Sequence, residues 1–179
     1  MSYKEIPNLL SIIRIVLIIP LMYFILIAEY KFALIVFIIS SITDLLDGWL
    51  ARYLNCESAM GAILDPLADK ILLISVFFSL CYLGFIPLLL ALIVISRDLM
   101  ILVGALLIWL INNQVVIFKP SLISKINTAL QIILVACVII EVSDVYDFPS
   151  IIITSLMYLV FCTAIISGLG YLKSAMKYK

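Results

Sequence analysis

The residues best suited to chemistry in this 179-residue chain are four aspartates that lie close together in the sequence. Asp44 and Asp47 are three residues apart, so a helix would place both on one face. Asp65 and Asp69 are four residues apart and would also share a face. A short connection separates the two pairs, so the carboxylates can face each other. Because four facing carboxylates repel and cannot all stay ionised without cations, the pattern predicts a cation site.

The donor atoms of such a site would all be oxygen, because the chain contains no His and no closely spaced Cys pair. Oxygen donors select hard ions such as Mg²⁺, Mn²⁺ or Ca²⁺. Four carboxylates can hold two such ions roughly 3.5–4 Å apart, an arrangement that serves phosphoryl transfer. The alternative is the acid-lined proton or cation pathway of a transporter. Arg52, beyond Asp47, favours the metal site because a guanidinium binds phosphate and would hinder a cation pathway.

The composition places these charges in an integral membrane protein. Apolar residues make up 66% of the chain and charged residues 12%, whereas a soluble domain has about 45–50% and about 25%. The same apolar content excludes a disordered chain. The formal net charge is zero, so charge gives no indication of nucleic-acid binding. Seven of the 22 charged residues (11 Lys or Arg, 11 Asp or Glu) lie within residues 44–70, which indicates a functional site in the membrane.

The elements that must carry these residues are membrane-spanning helices, each of which needs about 20 apolar residues. Apolar stretches of that size occur at residues 8–28, 33–53, 61–83, 86–111, 123–141 and 150–172. We therefore predict an all-α, polytopic membrane protein with six transmembrane helices and a single domain over residues 1–179. Seven basic residues fall on the side of the termini: Lys4, Arg52, Lys119, Lys125, Lys173, Lys177 and Lys179. The opposite side has only Lys31, so both termini are predicted to be cytoplasmic.

The spacing of the aspartates resembles the signature of the CDP-alcohol phosphatidyltransferase family. All eight fixed positions of that signature are matched, by Asp44, Asp47, Gly48, Ala51, Arg52, Gly61, Asp65 and Asp69. The resemblance implies a substrate that carries a CDP group, release of CMP, and transfer of a phosphatidyl or alcohol-phosphate unit to a hydroxyl. It also implies a homodimer among membrane lipids, with two divalent cations, Mg²⁺ or Mn²⁺, as cofactors.

The resemblance further implies a role for each matching residue. The metal ligands would be Asp44, Asp47, Asp65 and Asp69. The carboxylate of Asp69 would also be the catalytic base for the attacking hydroxyl. The CDP group would be bound by Gly48, Ala51, Arg52 and Gly61. From the first span, Arg14 is expected either to extend toward the membrane interface or to pair with an acidic residue of the site.

The acceptor pocket is expected in the second half of the chain, where Arg97 and Lys125 are the candidate ligands of an acceptor phosphate. The alternative for Arg97 is a neutralised pair with Asp98 that only locks helices together. The segments ISRDLM and KPSLISKINTALQ resemble CMP-forming cardiolipin synthases, which implies CDP-diacylglycerol as donor and phosphatidylglycerol as acceptor. The segment IPNLLSIIRIVLIIP resembles the bacterial enzymes that make phosphatidylglycerol phosphate from glycerol 3-phosphate, the second candidate acceptor.

Two cations that are typical of the glycerol 3-phosphate enzymes are missing from this sequence. No second Arg follows Arg97 within residues 99–106, and Asn127 stands where those enzymes usually have Lys. A phosphate monoester carries nearly two negative charges, so the loss of two cations should weaken its binding. Phosphatidylglycerol is a diester with one charge and needs fewer cations. We therefore predict cardiolipin formation in a bacterial cytoplasmic membrane or a mitochondrial inner membrane, with the active site on the cytoplasmic side.

Overall fold

The computed structural model describes the backbone of residues 6–53, 61–112 and 122–177, and the side chains of residues 11–44, 67–104 and 122–171. Within these ranges the chain forms six α-helices and no strand, so the prediction of an all-helical protein is confirmed. The helices are α1 Ile6–Leu26, α2 Tyr30–Tyr53, α3 Gly61–Tyr82, α4 Leu88–Asn112, α5 Leu122–Val142 and α6 Ser150–Lys177.

Each helix coincides with one of the six apolar stretches, with small differences at the ends. α2 begins three residues before its predicted start at residue 33, because the connection after α1 occupies only residues 27–29. Tyr30, in the first turn of α2, packs edge-on against Phe85 with the ring centroids 5.7 Å apart. This contact holds the start of α2 beside the α3–α4 connection. α6 continues to Lys177, five residues past its predicted end at residue 172.

Three of the described connections close with the same backbone motif. α1, α3 and α5 are each followed by a residue with positive φ, namely Ala28 (62°), Gly84 (83°) and Asp144 (55°). The amide of that residue donates to the carbonyl three positions earlier, as from Gly84 to Cys81 at 3.0 Å, and the next amide donates to the carbonyl five positions earlier. This is the Schellman motif, which satisfies the last carbonyls of a helix and lets the chain reverse in a few residues.

α3 lies among several other helices and therefore determines where the site is placed. It packs against α1, α4 and α5, while α2 packs against α1 and α5. α6 packs against α4 and α5. As a result, a side chain in the first half of α3 can reach residues of α1 on one side and residues of α4 and α5 on the other.

The described side chains place apolar groups both inside and outside the bundle. Phe77 and Leu134 are fully buried, but Ile19 is 72% exposed and Ile151 is 73% exposed. An exterior covered with large apolar side chains suits lipid better than water. Among the described residues, Leu122–Val142 and Ser150–Tyr171 are long and apolar enough to cross a membrane, and the part of α1 whose side chains are described, Ser11–Leu26, is a shorter apolar stretch. The six-span topology and the side of the termini stay predictions.

Candidate active site

Arg14 of α1 connects two of the predicted metal-ligating aspartates. Its Nη2 lies 2.9 Å from Oδ1 of Asp44 in α2, and its Nη1 donates to Oδ1 of Asp69 in α3. The Arg14 side chain is only 1% exposed, whereas the side chains of Asp44 and Asp69 are 40% and 38% exposed. The guanidinium therefore approaches the two carboxylates from the interior of the bundle. Of the two roles expected for Arg14, pairing with acidic residues of the site is confirmed.

The position of Arg14 follows from the buried face of α1. The buried residues of this helix recur every three or four positions: Ser11, Arg14, Ile18, Leu21 and Ile25. This spacing is that of one helix face, which packs against α2 and α3. A cation on such a face is costly unless anionic partners meet it, and Asp44 and Asp69 do so from the two neighbouring helices.

A cavity of about 220 Å³ opens beside these three side chains. The described polar residues in its lining are Arg14, Asp44, Asp69, Ser40, Ser41 and Thr128. The described apolar residues in its lining are Phe37, Leu72, Leu73 and Ile132. Ser40 is 1% exposed, and its Oγ has no hydrogen-bond partner among the described residues. The combination of carboxylates with apolar walls suits an amphiphilic ligand with a polar head.

A second buried polar cluster begins one residue after Asp69. Lys70 Nζ lies 2.9 Å from Oδ1 of Asp98 and donates to Thr128 Oγ1 at 3.2 Å. Arg97 Nη1 donates to the same Oδ1 of Asp98, whose side chain is fully buried. One carboxylate therefore neutralises part of the charge of two cations. Thr128 also lines the cavity, so this cluster reaches the cavity wall.

Arg97 is held by further hydrogen bonds to α5 and α6. Its Nη2 donates to Oγ of Ser124 and, at 2.8 Å, to Oγ of Ser167, and its Nε donates to the same Ser167 oxygen at 3.2 Å. These contacts join α4, α5 and α6 at one buried guanidinium. This is the pairing with Asp98 that the sequence allowed as the alternative to phosphate binding, and Arg97 as an acceptor ligand stays a prediction.

Among the other predicted site residues, Lys125 of α5 is exposed. Neither Lys125 nor Arg97 is among the described residues that line the cavity with Asp44 and Asp69. The positions of Asp47, Gly48, Ala51 and Arg52 are in α2, and those of Gly61 and Asp65 are in α3. The side chains of these six residues lie outside the described residues. Their roles stay predictions.

The partners of Lys70 do not follow from its position at the end of the charged segment 44–70. The available signal was a cation next to the predicted base and inside an apolar span, where an ionisable group normally has a partner. Its actual partners, Asp98 and Thr128, are 28 and 58 residues away in the sequence.

The donor chemistry of the described residues fits a hard divalent cation. Asp44 and Asp69 present carboxylate oxygens from two helices, close enough for one guanidinium to bridge them. Such oxygens are the donors that Mg²⁺ and Mn²⁺ prefer. Where side chains are described, no three potential metal ligands converge. Asp47 and Asp65 would have to complete the predicted set of four.

Several characterised proteins are similar to this chain. It is 42% identical over 153 residues to the CMP-forming cardiolipin synthase of Rattus norvegicus, an alignment that covers 75% of this chain and 51% of that protein. The corresponding human enzyme is 42% identical over 146 residues, covering 73% and 48%. The CDP-diacylglycerol–glycerol-3-phosphate 3-phosphatidyltransferase of Aquifex aeolicus is 34% identical over 149 residues, covering 80% and 79%.

These alignments agree with a family model that matches almost the whole chain. The chain spans about half the length of the mammalian cardiolipin synthases it matches. The model of the CDP-alcohol phosphatidyltransferases matches residues 4–167, which include all six helices at least in part. The chain belongs to the CDP-alcohol phosphatidyltransferase family.

Proposed function

We propose that this chain is a divalent-metal-dependent phosphatidyltransferase of phospholipid biosynthesis, with CDP-diacylglycerol as donor, phosphatidylglycerol as acceptor, and cardiolipin and CMP as products. The observation that carries the proposal is the convergence of Asp44 and Asp69 at one cavity beside the buried guanidinium of Arg14. Family membership supports the reaction class, and the cardiolipin synthases among the similar proteins support the acceptor.

The side chains at the cavity suit a phosphoryl substitution. An acceptor hydroxyl oxygen forms a bond to the β-phosphorus of the CDP group, the bond from that phosphorus to the bridging oxygen breaks, and CMP leaves. Asp69 accepts the proton of the attacking hydroxyl on a carboxylate oxygen as the new bond forms. Mg²⁺ or Mn²⁺, when bound, supplies charge stabilisation to the transferring phosphoryl group.

The residues of the signature are proposed to bind either the two cations or the CDP group. The ligands of the two cations are Asp44, Asp47, Asp65 and Asp69. The CDP group is bound by Gly48, Ala51, Arg52 and Gly61. The apolar side chains of Phe37, Leu72 and Leu73 in the cavity wall suit the lipid portion of a substrate. The homodimer implied by the family resemblance belongs to the same proposal.

Six membrane spans with both termini in the cytoplasm are the proposed topology. The apolar exterior of the described helices supports an environment of lipid. The excess of Lys and Arg on the side of the termini supports the orientation. The active site then opens to the cytoplasmic side of a bacterial or mitochondrial inner membrane.

Phosphatidylglycerol is favoured as acceptor by the contacts of Arg97. Because Asp98, Ser124 and Ser167 all accept hydrogen bonds from this guanidinium, few of its N–H donors are left for a phosphate monoester. Glycerol 3-phosphate is the second candidate, supported by the relative from Aquifex aeolicus, of which the alignment covers 79%.

The decisive experiment offers both acceptors to the purified protein. The full chain in detergent receives CDP-diacylglycerol, Mg²⁺ or Mn²⁺, and either phosphatidylglycerol or glycerol 3-phosphate, and CMP and the lipid product are identified by mass spectrometry. Cardiolipin supports the proposal, whereas phosphatidylglycerol phosphate replaces the proposed acceptor. No CMP with either acceptor, together with ion flux through liposomes that lack CDP-lipid, would establish the transporter alternative.

A further inference from the structure

Arg14 presents one cation to two carboxylates that are expected to bind metal. Its two terminal nitrogens are divided between Oδ1 of Asp44 and Oδ1 of Asp69. Lys70, although adjacent to Asp69, is directed to Asp98 and Thr128 instead. The guanidinium therefore holds together the carboxylates of α2 and α3, which would otherwise repel each other.

A divalent ion held by the same two carboxylates would meet this guanidinium at close range. Arg14 is 1% exposed, so water screens it poorly and its repulsion of a nearby ion is strong. The Oδ1 atoms that Arg14 binds are also natural metal ligands. The two kinds of cation are thus alternatives for the same oxygens.

We infer that Arg14 is a resident counter-cation of the metal site. It keeps Asp44 and Asp69 paired before metal binds and yields their oxygens when metal binds. Its ion pairs must then lower the apparent affinity for metal, because the free energy of breaking them is subtracted from the free energy of metal binding. This inference rests on the metal site of the proposed function, and it makes Arg14 a positioning residue.

The test compares two buried arginines, of which Arg14 pairs with the candidate metal ligands and Arg97 pairs with Asp98. Arg14→Met removes the cation at the candidate metal site, and Arg97→Met removes the buried cation paired with Asp98. Melting temperatures of the full chain in detergent are measured in EDTA and in saturating Mg²⁺. We expect both variants to melt below wild type in EDTA, and Mg²⁺ to restore only Arg14→Met.

Metal affinity is measured on the same proteins by electron paramagnetic resonance of Mn²⁺. Arg14→Met should bind Mn²⁺ about 5- to 150-fold more tightly than wild type, the usual range for coupling between two sites. Arg14→Lys keeps the charge but cannot bridge both carboxylates as a guanidinium does. The Mn²⁺ affinity of Arg14→Lys should therefore lie between that of wild type and that of Arg14→Met. Unchanged or weaker Mn²⁺ binding by Arg14→Met, or a stability loss that Mg²⁺ does not reverse, overturns the inference.

Measurements of both Mn²⁺ binding and CMP release distinguish this inference from the proposed function. Mn²⁺ binding that is lost in Asp44→Asn and strengthened in Arg14→Met supports the inference even if no CMP is released. CMP release by wild type, together with unchanged Mn²⁺ affinity in Arg14→Met, overturns the inference and leaves the proposed function standing. Wild type that binds no Mn²⁺ overturns the inference together with the metal site.

Discussion

Asp69 and Lys70 are neighbours in α3, and their side chains enter two different polar clusters. Asp69 pairs with Arg14 of α1, and Lys70 pairs with Asp98 of α4 at 2.9 Å. Lys70 also donates to Thr128 of α5. Two consecutive residues therefore connect α3 to three other helices, and the placement of the proposed base depends on the cluster next to it.

Substitution of Asp69 by Asn should remove most of the activity. The amide cannot accept the proton of the attacking hydroxyl, and general-base catalysis contributes about 10²–10⁴-fold to a rate. We expect the rate of CMP release to fall by roughly that factor at saturating substrates. The control is Asp144→Asn, which alters an exposed aspartate in the α5–α6 connection and keeps a residue type that tolerates positive φ. Equal rates for Asp69→Asn and wild type would contradict the assignment of the base.

Substitution of Asp98 by Asn should reduce stability. Asp98 is fully buried and contacts both Arg97 and Lys70, so its neutralisation leaves two largely buried cations without their shared carboxylate. Breaking a buried ion pair in this way typically costs about 3–5 kcal/mol. The free energy of unfolding in detergent measures the loss, with Asp147→Asn, at an exposed position, as the control. Equal stability of Asp98→Asn and wild type would show that the cluster is not an energetic link between α3 and α4.

The helices, and the positions of the four aspartates on two of them, could be predicted from sequence, because both depend on local signals. A run of about 20 apolar residues identifies a span, and a spacing of three or four identifies a shared face. Beyond its neighbour Asp98, the partners of Arg97 could not be predicted, since Ser124 and Ser167 are 27 and 70 residues away. Helices such as α4 are apolar on almost every side, so the sequence holds little information on how each helix is rotated about its axis. For Arg14 the class of partner was predictable, but not which aspartates.

Ala28 provides a test of the Schellman turns that is independent of function. Its φ of 62° is unfavourable for a residue with Cβ by roughly 1–2 kcal/mol. Glycine removes this strain but adds freedom to the unfolded chain, which costs about 0.4–1 kcal/mol. We therefore expect Ala28→Gly to raise the free energy of unfolding by roughly 0.5–1 kcal/mol.

The reverse change at Gly84 is the matched control for Ala28. Gly84 has a φ of 83°, and a Cβ added there would meet no atom within 4 Å. Any loss of stability in Gly84→Ala therefore comes from backbone conformation and not from a clash, and the expected loss is about 1 kcal/mol. Changes of opposite sign in the free energy of unfolding of Ala28→Gly and Gly84→Ala support the turn geometry. A loss of stability in Ala28→Gly would contradict it.

The role of Lys125 as an acceptor ligand can be tested by separating substrate affinity from protein stability. Lys125 is exposed, so Lys125→Met should leave the melting temperature unchanged. If its ammonium binds the acceptor phosphate, the lost charged hydrogen bond is worth about 1.5–3 kcal/mol, which corresponds to an increase of roughly 10- to 150-fold in the KM for phosphatidylglycerol. The KM for CDP-diacylglycerol should not change.

Lys31→Met, at an exposed lysine in the first turn of α2, is the control for the loss of a surface charge. An unchanged KM for phosphatidylglycerol in Lys125→Met would remove this residue from the acceptor site, because no fold defect could mask its contribution.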